Sequence, residues 1–458
     1  MSAVAKPKRL RPAARSFLDS LREFLTPALW KQAHHARRCK KSSPRWDTQP
    51  LLMVLLTVTW CCGDSQAERF ETAKAFCSVC LNKRRRPGQT TPGFHKALAR
   101  LPLCVLRAVA AGVRRRLAAL LDLHSDGFVA LGCDGSRLEC PRSRELEKRL
   151  GKISKKRTAS TAPMLWVTAL VHLRTGLLWA WRLGKGTAAE RQHLLALLPT
   201  LPAAALLVAD AGFNGYALAQ AIVQTNASFL IRMGGKVSLY VDEPVCPEQF
   251  TEGLVYSWPQ EARRQKLLPL QLRLIRIRGK ERRDVWLLTN ILDSKRLSAE
   301  QAARYYRWRW ENEGLFRTYK RTLSKVKLLS RTVRLVHREA EGSLLATQLL
   351  LAQGVRGIEP AQSPGAAPGA AAEPQRCSPR KVLMLIRKEI QGQGGKRQRK
   401  RFGKNLAEAQ REQRQRQTPK VQRRWPRRVD HKPLKPPKIL VLPNELKALL
   451  AKLTSTAA

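Results

Sequence analysis

The chain has 458 residues, with 86 Lys and Arg against 34 Asp and Glu, and a formal net charge of +52. So large an imbalance repels itself unless a polyanion shares it, which makes nucleic acid, or an anionic surface, the expected partner. Passage through a membrane is not expected, because the longest apolar run, "LLMVLLTVTWCC" at 51–62, is about a third short of the ~18 residues that a spanning helix needs.

In chain order, the N-terminus "MSAVAKPKRLRPAARSF" is basic but has no apolar core or small-residue cleavage site. A cytosolic, nucleoid-associated location follows as the expectation, with the ten cysteines reduced. Residues 1–121 are rich in Leu, Ala and Arg, carry apolar positions at helical spacing, and read as a separate helical domain, with 51–62 as a buried helix. Cys77 and Cys80 have a metal-like spacing, but no second pair follows at zinc-finger distance, and they read as thiols.

From 122 to 235 the pattern changes to short apolar runs bounded by Gly, Asp and Pro and alternating with helical segments, the habit of an α/β sheet. Strands are expected at about 127–134, 164–172, 177–183, 206–210 and 228–232, with helices near 188–198 and 214–224. "GKGTAAERQ" lacks the spacing of a phosphate loop and reads as a strand-to-helix turn capped by Thr187. Residues 236–290 have strand character, and the alternation in "LPLQLRLIRIR" slips phase between Leu274 and Ile275 as if at a bulge. A helix is expected in 291–357. Residues 358–375 are a Pro, Gly and Ala linker, and 376–458 are a basic tail expected to be disordered when free, with 22 Lys and Arg against four Asp and Glu in 376–438.

Two strand ends each deliver an aspartate: "GFVALGCDGS" stops at Asp134, and "ALLVADAGF" stops at Asp210. The carboxyl end of a buried strand is where open α/β sheets place ligands, although Asp also serves as a turn residue or helix cap. A third acid lies in "YYRWRWENEGLFRTYKR". Tyr306, Arg309, Glu313 and Lys320 stand at i, i+3, i+7 and i+14, so on one α-helix they fall within a stripe of roughly 60°. An acid set between cations there differs from an ordinary salt-bridged face, which repeats Glu and Lys four apart. Three carboxylates are what metal-assisted phosphoryl transfer requires, and surrounding Arg, Lys and Tyr would hold phosphates. Asp126, Glu139, Asp242, Glu243 and Glu311 are alternative acids; Glu311 is the nearest rival, but points about 160° round the helix from Glu313.

These residues resemble the DDE transposases of the insertion sequence 4 family, whose third catalytic acid lies in a signature of Tyr, Arg, Glu and Lys at the spacings seen here. The resemblance covers roughly 125–335. It implies an α/β, ribonuclease H-like mixed sheet interrupted by a β-rich insertion, with catalytic core on both sides of it (122–235 and 291–357), the helical N-terminal domain before it and the basic tail after it. It implies Asp134, Asp210 and Glu313 as catalytic, metal-binding acids for two Mg²⁺ ions, Mn²⁺ substituting. Tyr306, Arg309 and Lys320 would bind DNA phosphates, and Trp286 of the insertion would stack on a flipped base, unless it is sheet core. The implied activity is excision and insertion of a mobile element in bacterial cytoplasm by hydrolysis and transesterification, through a hairpin at the element end. The implied partners are terminal inverted repeats, target DNA and a second copy of the chain in a synaptic dimer. A ribonuclease H-like nuclease without strand transfer, or a non-catalytic DNA-binding repressor or relic, stays open as the alternative.

Overall fold

A computed structural model describes residues 16–37, 44–81, 86–151, 162–246, 248–279, 284–357, 378–392, 401–409 and 435–457. The expected linker at 358–375 and much of the expected tail lie outside these residues. In chain order the elements are α1 (Phe17–Phe24), α2 (Pro27–Ala36), α3 (Thr48–Trp60), α4 (Gln66–Cys80), α5 (Thr91–Arg100), α6 (Leu103–Leu120), β1 (Val129–Glu139), α7 (Arg144–Leu150), β2 (Met164–His172), β3 (Leu178–Lys185), α8 (Glu190–Leu197), β4 (Ala205–Ala209), α9 (Tyr216–Gln224), β5 (Ser228–Arg232), β6 (Ser238–Val241), β7 (Glu252–Ser257), α10 (Gln260–Arg264), β8 (Leu270–Ile277) and β9 (Val285–Thr289). They continue with α11 (Ala299–Trp308), α12 (Glu311–Arg317), a π-helical turn at Thr318–Thr322, α13 (Val333–Gly357), α14 (Pro379–Ile390), α15 (Phe402–Ala407), β10 (Lys438–Val441) and α16 (Asn444–Ala457). Among the described residues no helix is long and apolar enough to cross a membrane.

The chain divides into two units, the first holding residues up to Leu123, Ser136–Ala188 and Glu313–Glu412, the second His124–Gly135, Ala189–Asn312 and Gln413 onward. The first unit is organised on α3 and α13. Asp47 caps α3 by accepting from Thr48 N, and apolar side chains all round the helix leave it no face for water, so Leu51, Leu52, Leu55 and Leu56 are all buried. Each such side chain stabilises the fold by roughly 1.5–3 kcal/mol. α13 packs along α3, α5 and α6, and Trp60 Nε1 donates to Ala346 O at 3.1 Å. At Gly342 a Cβ would stand 2.5 Å from Leu55, so the close approach of these helices requires glycine there. The expected N-terminal helices are present, but they do not form a domain of their own. Their apolar faces are completed by α13, which sequence order places more than 200 residues later.

The tail expectation is corrected for its described residues, 378–392, 401–409 and 435–457, which hold helices and a strand. In α14, Ser378 accepts from Lys381 N, Pro379 opens the first turn, and Val382, Leu383, Ile386 and Ile390 are buried, a stripe that the surrounding Lys and Arg hide from composition. It packs against α3, α13 and the π-helical turn.

In the second unit the strand order is β10-β6-β7-β8-β9-β5-β4-β1. β1, β4 and β5 run parallel, with β1 buried as far as Cys133 and β4 and β5 almost wholly buried; β9 returns antiparallel to β5 and joins them to the insertion. The observed strands and helices of 122–235 follow the expected ones to within a few residues, β1 running on to Glu139. Ala189, without a side-chain bond, replaces Thr187 as the residue before α8. No bulge occurs in β8: Leu274 and Ile275 keep register with Gly253 and Glu252 on one side and Leu288 and Leu287 on the other. Leu272, Arg273, Leu274 and Ile275 are all buried, so both faces of that strand are covered and strict alternation has no reason to hold. The chain's end joins this unit. β10 pairs in parallel with β6, and Leu442 and Leu446 pack with Trp258 and Ala262.

Candidate active site

Parallel pairing of β1 with β4 runs through Cys133↔Ala209, so Asp134 and Asp210 follow one residue beyond the last register pair of neighbouring strands. Burial ends at the same place: Cys133 and Ala209 are buried, whereas Asp134 and Asp210 are half-buried. Asp134 accepts from Gly135 N and Asp210 from Ala211 N, both at 2.8 Å with Oδ1. In Asp210 this bond caps the short 3₁₀ turn Ala211–Phe213. The capping role and an exposed second oxygen coexist, because one carboxylate has several acceptor positions. Burial, Asp134 and Glu190 together push the Cys133 thiol well above its usual range.

Two signature residues reach Asp210, Tyr306 from the last turn of α11 and Arg309 from the residue that follows it. The Tyr306 hydroxyl donates to Asp210 Oδ1 at 3.3 Å, and Arg309 Nη2 lies 3.9 Å from Oδ2. Arg309 is buried, with its guanidinium 5.2 Å from the Tyr306 ring centre and 5.1 Å from that of Trp310. Its Nε has no hydrogen-bond partner among the described residues. Burial, reinforced by Asp210 and opposed by Arg309 and Arg232, raises the Tyr306 phenol above its usual range, so it stays a donor at neutral pH. Arg232 was not among the sequence candidates. It follows Ile231, the register partner of Ala209, and bonds Tyr306, which brings a second arginine beside Asp210. Its only sequence signal is a cation ending the apolar run "SFLI".

The single helical stripe expected over 306–320 is not what forms. α11 ends at Trp308, and the bonds Trp310 N to Arg307 O and Asn312 N to Arg309 O tighten the chain to i→i−3 spacing before α12 begins. After α12 the chain widens into the π-helical turn, where Leu323 N reaches Thr318 O. Angles counted at 100° per residue therefore do not carry from Tyr306 to Lys320. Within the first unit Glu313 is exposed on α12, whereas Leu315, Phe316 and Tyr319 are buried. Lys320, partly buried, has its ammonium lowered from the usual range by desolvation.

Other candidates are tied into structure. Asp126 binds Arg304, and the Tyr305 hydroxyl donates to Asp126 at 2.9 Å and to Ser125 O at 2.6 Å. Glu139 pairs with Lys327 at 3.3 Å. Trp286 is buried in β9, its ring 5.8 Å from that of Phe250 and 5.2 Å from the Arg276 guanidinium. Among the described residues, no group of three or more His, Cys, Asp and Glu is arranged to hold a metal ion.

Residues 133–349 match the family model described as a transposase DDE domain. No curated protein matches the chain. Among solved structures, the chain is similar to one titled "Cryo-EM structure of piggyBac transposase synaptic complex with hairpin DNA", at 11% identity and a TM-score of 0.42 over 88% of this chain and 83% of that one, a likeness too weak to support an argument.

Proposed function

From a chain that carries a transposase DDE domain, and with it the activity of a DNA-cleaving and strand-transferring enzyme, we propose that Asp134, Asp210 and Glu313 are the acids of that chemistry. In this reading Tyr306, Arg309, Lys320 and Arg232 hold phosphates. The observation that carries it is the β1–β4 register, which places Asp134 and Asp210 each one residue beyond the last pair of the two strands, with the Tyr306 hydroxyl and the Arg309 guanidinium turned to Asp210. The parallel β1, β4 and β5 support a ribonuclease H-like core, and the signature spacing supports the insertion sequence 4 family. Excision through a hairpin, a synaptic dimer and recognition of terminal repeats by the N-terminal helices belong to the same proposal.

The donors proposed for metal are all carboxylate oxygens, hard ligands that fit Mg²⁺ with Mn²⁺ as its substitute. Divalent ions held there would supply Lewis-acid chemistry, activating the attacking oxygen and balancing charge on the leaving one. The chain's own residues prepare that place. The Gly135 and Ala211 amides each bond one oxygen of the two aspartates, and a carboxylate has several acceptor positions. Arg309 partly neutralises Asp210 and keeps donors for a phosphate, and the burial of its base reduces the desolvation still to be met when DNA arrives. Trp286, covered by Phe250 and Arg276, would need that cover moved before it could meet a base.

Purified protein is incubated with labelled terminal-repeat DNA, a target plasmid and Mg²⁺. The parent yields nicks, hairpins and plasmid-joined product; cleavage with no joined product would reduce the reading to a nuclease. Arg309→Ala is expected to cut about 100-fold more slowly, the scale of one charge-stabilising donor, while gel-shift affinity for the ends holds within a few-fold because many other cations remain. Equal collapse of affinity and cleavage would remove Arg309 from phosphate positioning.

A further inference from the structure

The π-helical turn that carries Lys320 bonds i→i−5 rather than i→i−4, a rare form that persists only where surroundings fix it. The surroundings here lie on one face of α13. Tyr319, fully buried, exchanges a 2.7 Å hydrogen bond with Ser343. One turn earlier on the same helix face, the Glu339 carboxylate accepts from Leu329 N at 3.0 Å, Ser330 N at 2.9 Å and Lys325 Nζ at 3.3 Å. Glu339 and Lys325 are 8% and 7% exposed, which leaves little room for water to replace either partner. Between the two anchors Ser324 takes the left-handed conformation, φ 55°, and Lys325 N closes on Tyr319 O at 3.2 Å. The loop's far side is fastened to the end of β1 by Glu139 N to Val326 O and Leu328 N to Glu139 O. Every bond that defines the chain direction from Tyr319 to Ser330 thus ends on a group outside the turn or on its own backbone.

We propose that the Glu339 and Ser343 face of α13 is a positioning device for DNA cleavage: it holds the π-helical turn in register and so fixes where Lys320 presents its ammonium. This rests on the reading of Lys320 as a phosphate-binding residue. Glu339 touches no reacting group. It spends its acceptors on two backbone amides and one buried ammonium, and acts through the segment that these define. Without it the turn reverts toward ordinary α-helical spacing. A shift of one residue in helical register rotates the side chains beyond it by about 100°, enough to turn Lys320 from a phosphate.

The experiment uses full-length Glu339→Gln, Ser343→Ala, Lys320→Ala and the double variant Glu339→Gln/Lys320→Ala. Each is measured for single-turnover cleavage of labelled end DNA at saturating protein, for gel-shift affinity and for thermal unfolding. Glu339→Gln is expected to bind ends within about threefold of the parent and to cleave about 100-fold more slowly, the cost of misplacing a group by about 1 Å. The double variant is expected to cleave no more slowly than Lys320→Ala, since the tether acts through that lysine. A purely structural role would lower the unfolding temperature yet leave the folded protein's single-turnover rate at the parental value, and that result overturns the proposal. So does a double variant slowed by the product of the two single effects. Lys320→Ala cutting at the parental rate sinks the phosphate role itself, and the tether with it. A slow Lys320→Ala beside a fast Glu339→Gln sinks the tether alone. If Glu339→Gln does not fold, Ser343→Ala, which cuts the other anchor and strands no charge, is read against the same two results.

Discussion

Asp134→Asn, Asp210→Asn and Glu313→Gln are each expected to reduce cleavage and joining by more than about 1,000-fold, toward the upper end of what one positioned charge or proton carrier contributes, while sequence-specific end binding persists. Each change keeps the side chain's shape and removes its charge. Asparagine at 134 and 210 can still accept from Gly135 N and Ala211 N, so the local bond at Asp134 and the cap of the 3₁₀ turn after β4 are kept. Asp210→Asn carries a second effect, because Arg309 loses its nearby carboxylate; at 3.9 Å and with the Asp210 side chain 45% exposed, that costs at most about 1 kcal/mol of stability. Glu311→Gln is the internal control. It lies on the same helix two residues from Glu313 and is expected to stay within about fivefold of the parent, far short of the loss from a catalytic group. Ca²⁺ in place of Mg²⁺ should support end binding with little chemistry. Efficient Mg²⁺-dependent cutting by Glu313→Gln, or loss of activity confined to Glu311→Gln, would reassign the third acid.

The two aspartates could be found from the sequence because an apolar run that stops at a charged residue marks both a buried strand and its mouth. β4 ends within a residue of the expected place, whereas β1 runs on five residues past Asp134 to Glu139, and only its burial and its pairing with β4 stop where the apolar run does. Their register could not be read, since it depends on which strand becomes the neighbour. Arg232 was missed for this reason: a lone cation after "SFLI" acquires meaning only when β5 lies against β4. The breaks around α12 were hidden differently. Arg309 keeps right-handed helical angles, so periodicity sees one helix, and only the changed bonding partners of Trp310, Asn312 and Leu323 reveal three segments. Glu339 looked like one charge among many on a long helix. Its partners are backbone amides of a loop, which have no residue type to pattern. The four signature residues span a tightened turn and a widened one rather than the uniform helix that their spacing suggested.

Truncation before residue 376 is expected to abolish cleavage and to lower the unfolding temperature, not merely to weaken nonspecific DNA binding. Composition alone would predict the milder result. Removing a solvated basic tail releases fewer counterions per complex and flattens the dependence of log affinity on log salt, leaving the fold intact. But α14 buries Val382, Leu383, Ile386 and Ile390 against the first unit and lies on the π-helical turn, while Leu442 and Leu446 complete the cluster around Trp258 in the second. Point changes separate the two causes. Leu383→Ala, at a side chain 1% exposed, should cost about 2–5 kcal/mol and slow cleavage by disturbing the turn beneath α14, with the salt slope unchanged. Arg380→Gln/Lys388→Gln, on the exposed side of the same helix, should do the opposite, reducing the slope by about 0.9 for each phosphate no longer neutralised and leaving the unfolding temperature in place. Arg387 is unsuitable for that second test, because its Nε donates to Trp60 O at 2.9 Å and belongs to the packing. A Leu383→Ala protein that unfolds and cuts like the parent would mean that α14 is not packed in solution, and the polyelectrolyte tail would then be the better account of this segment.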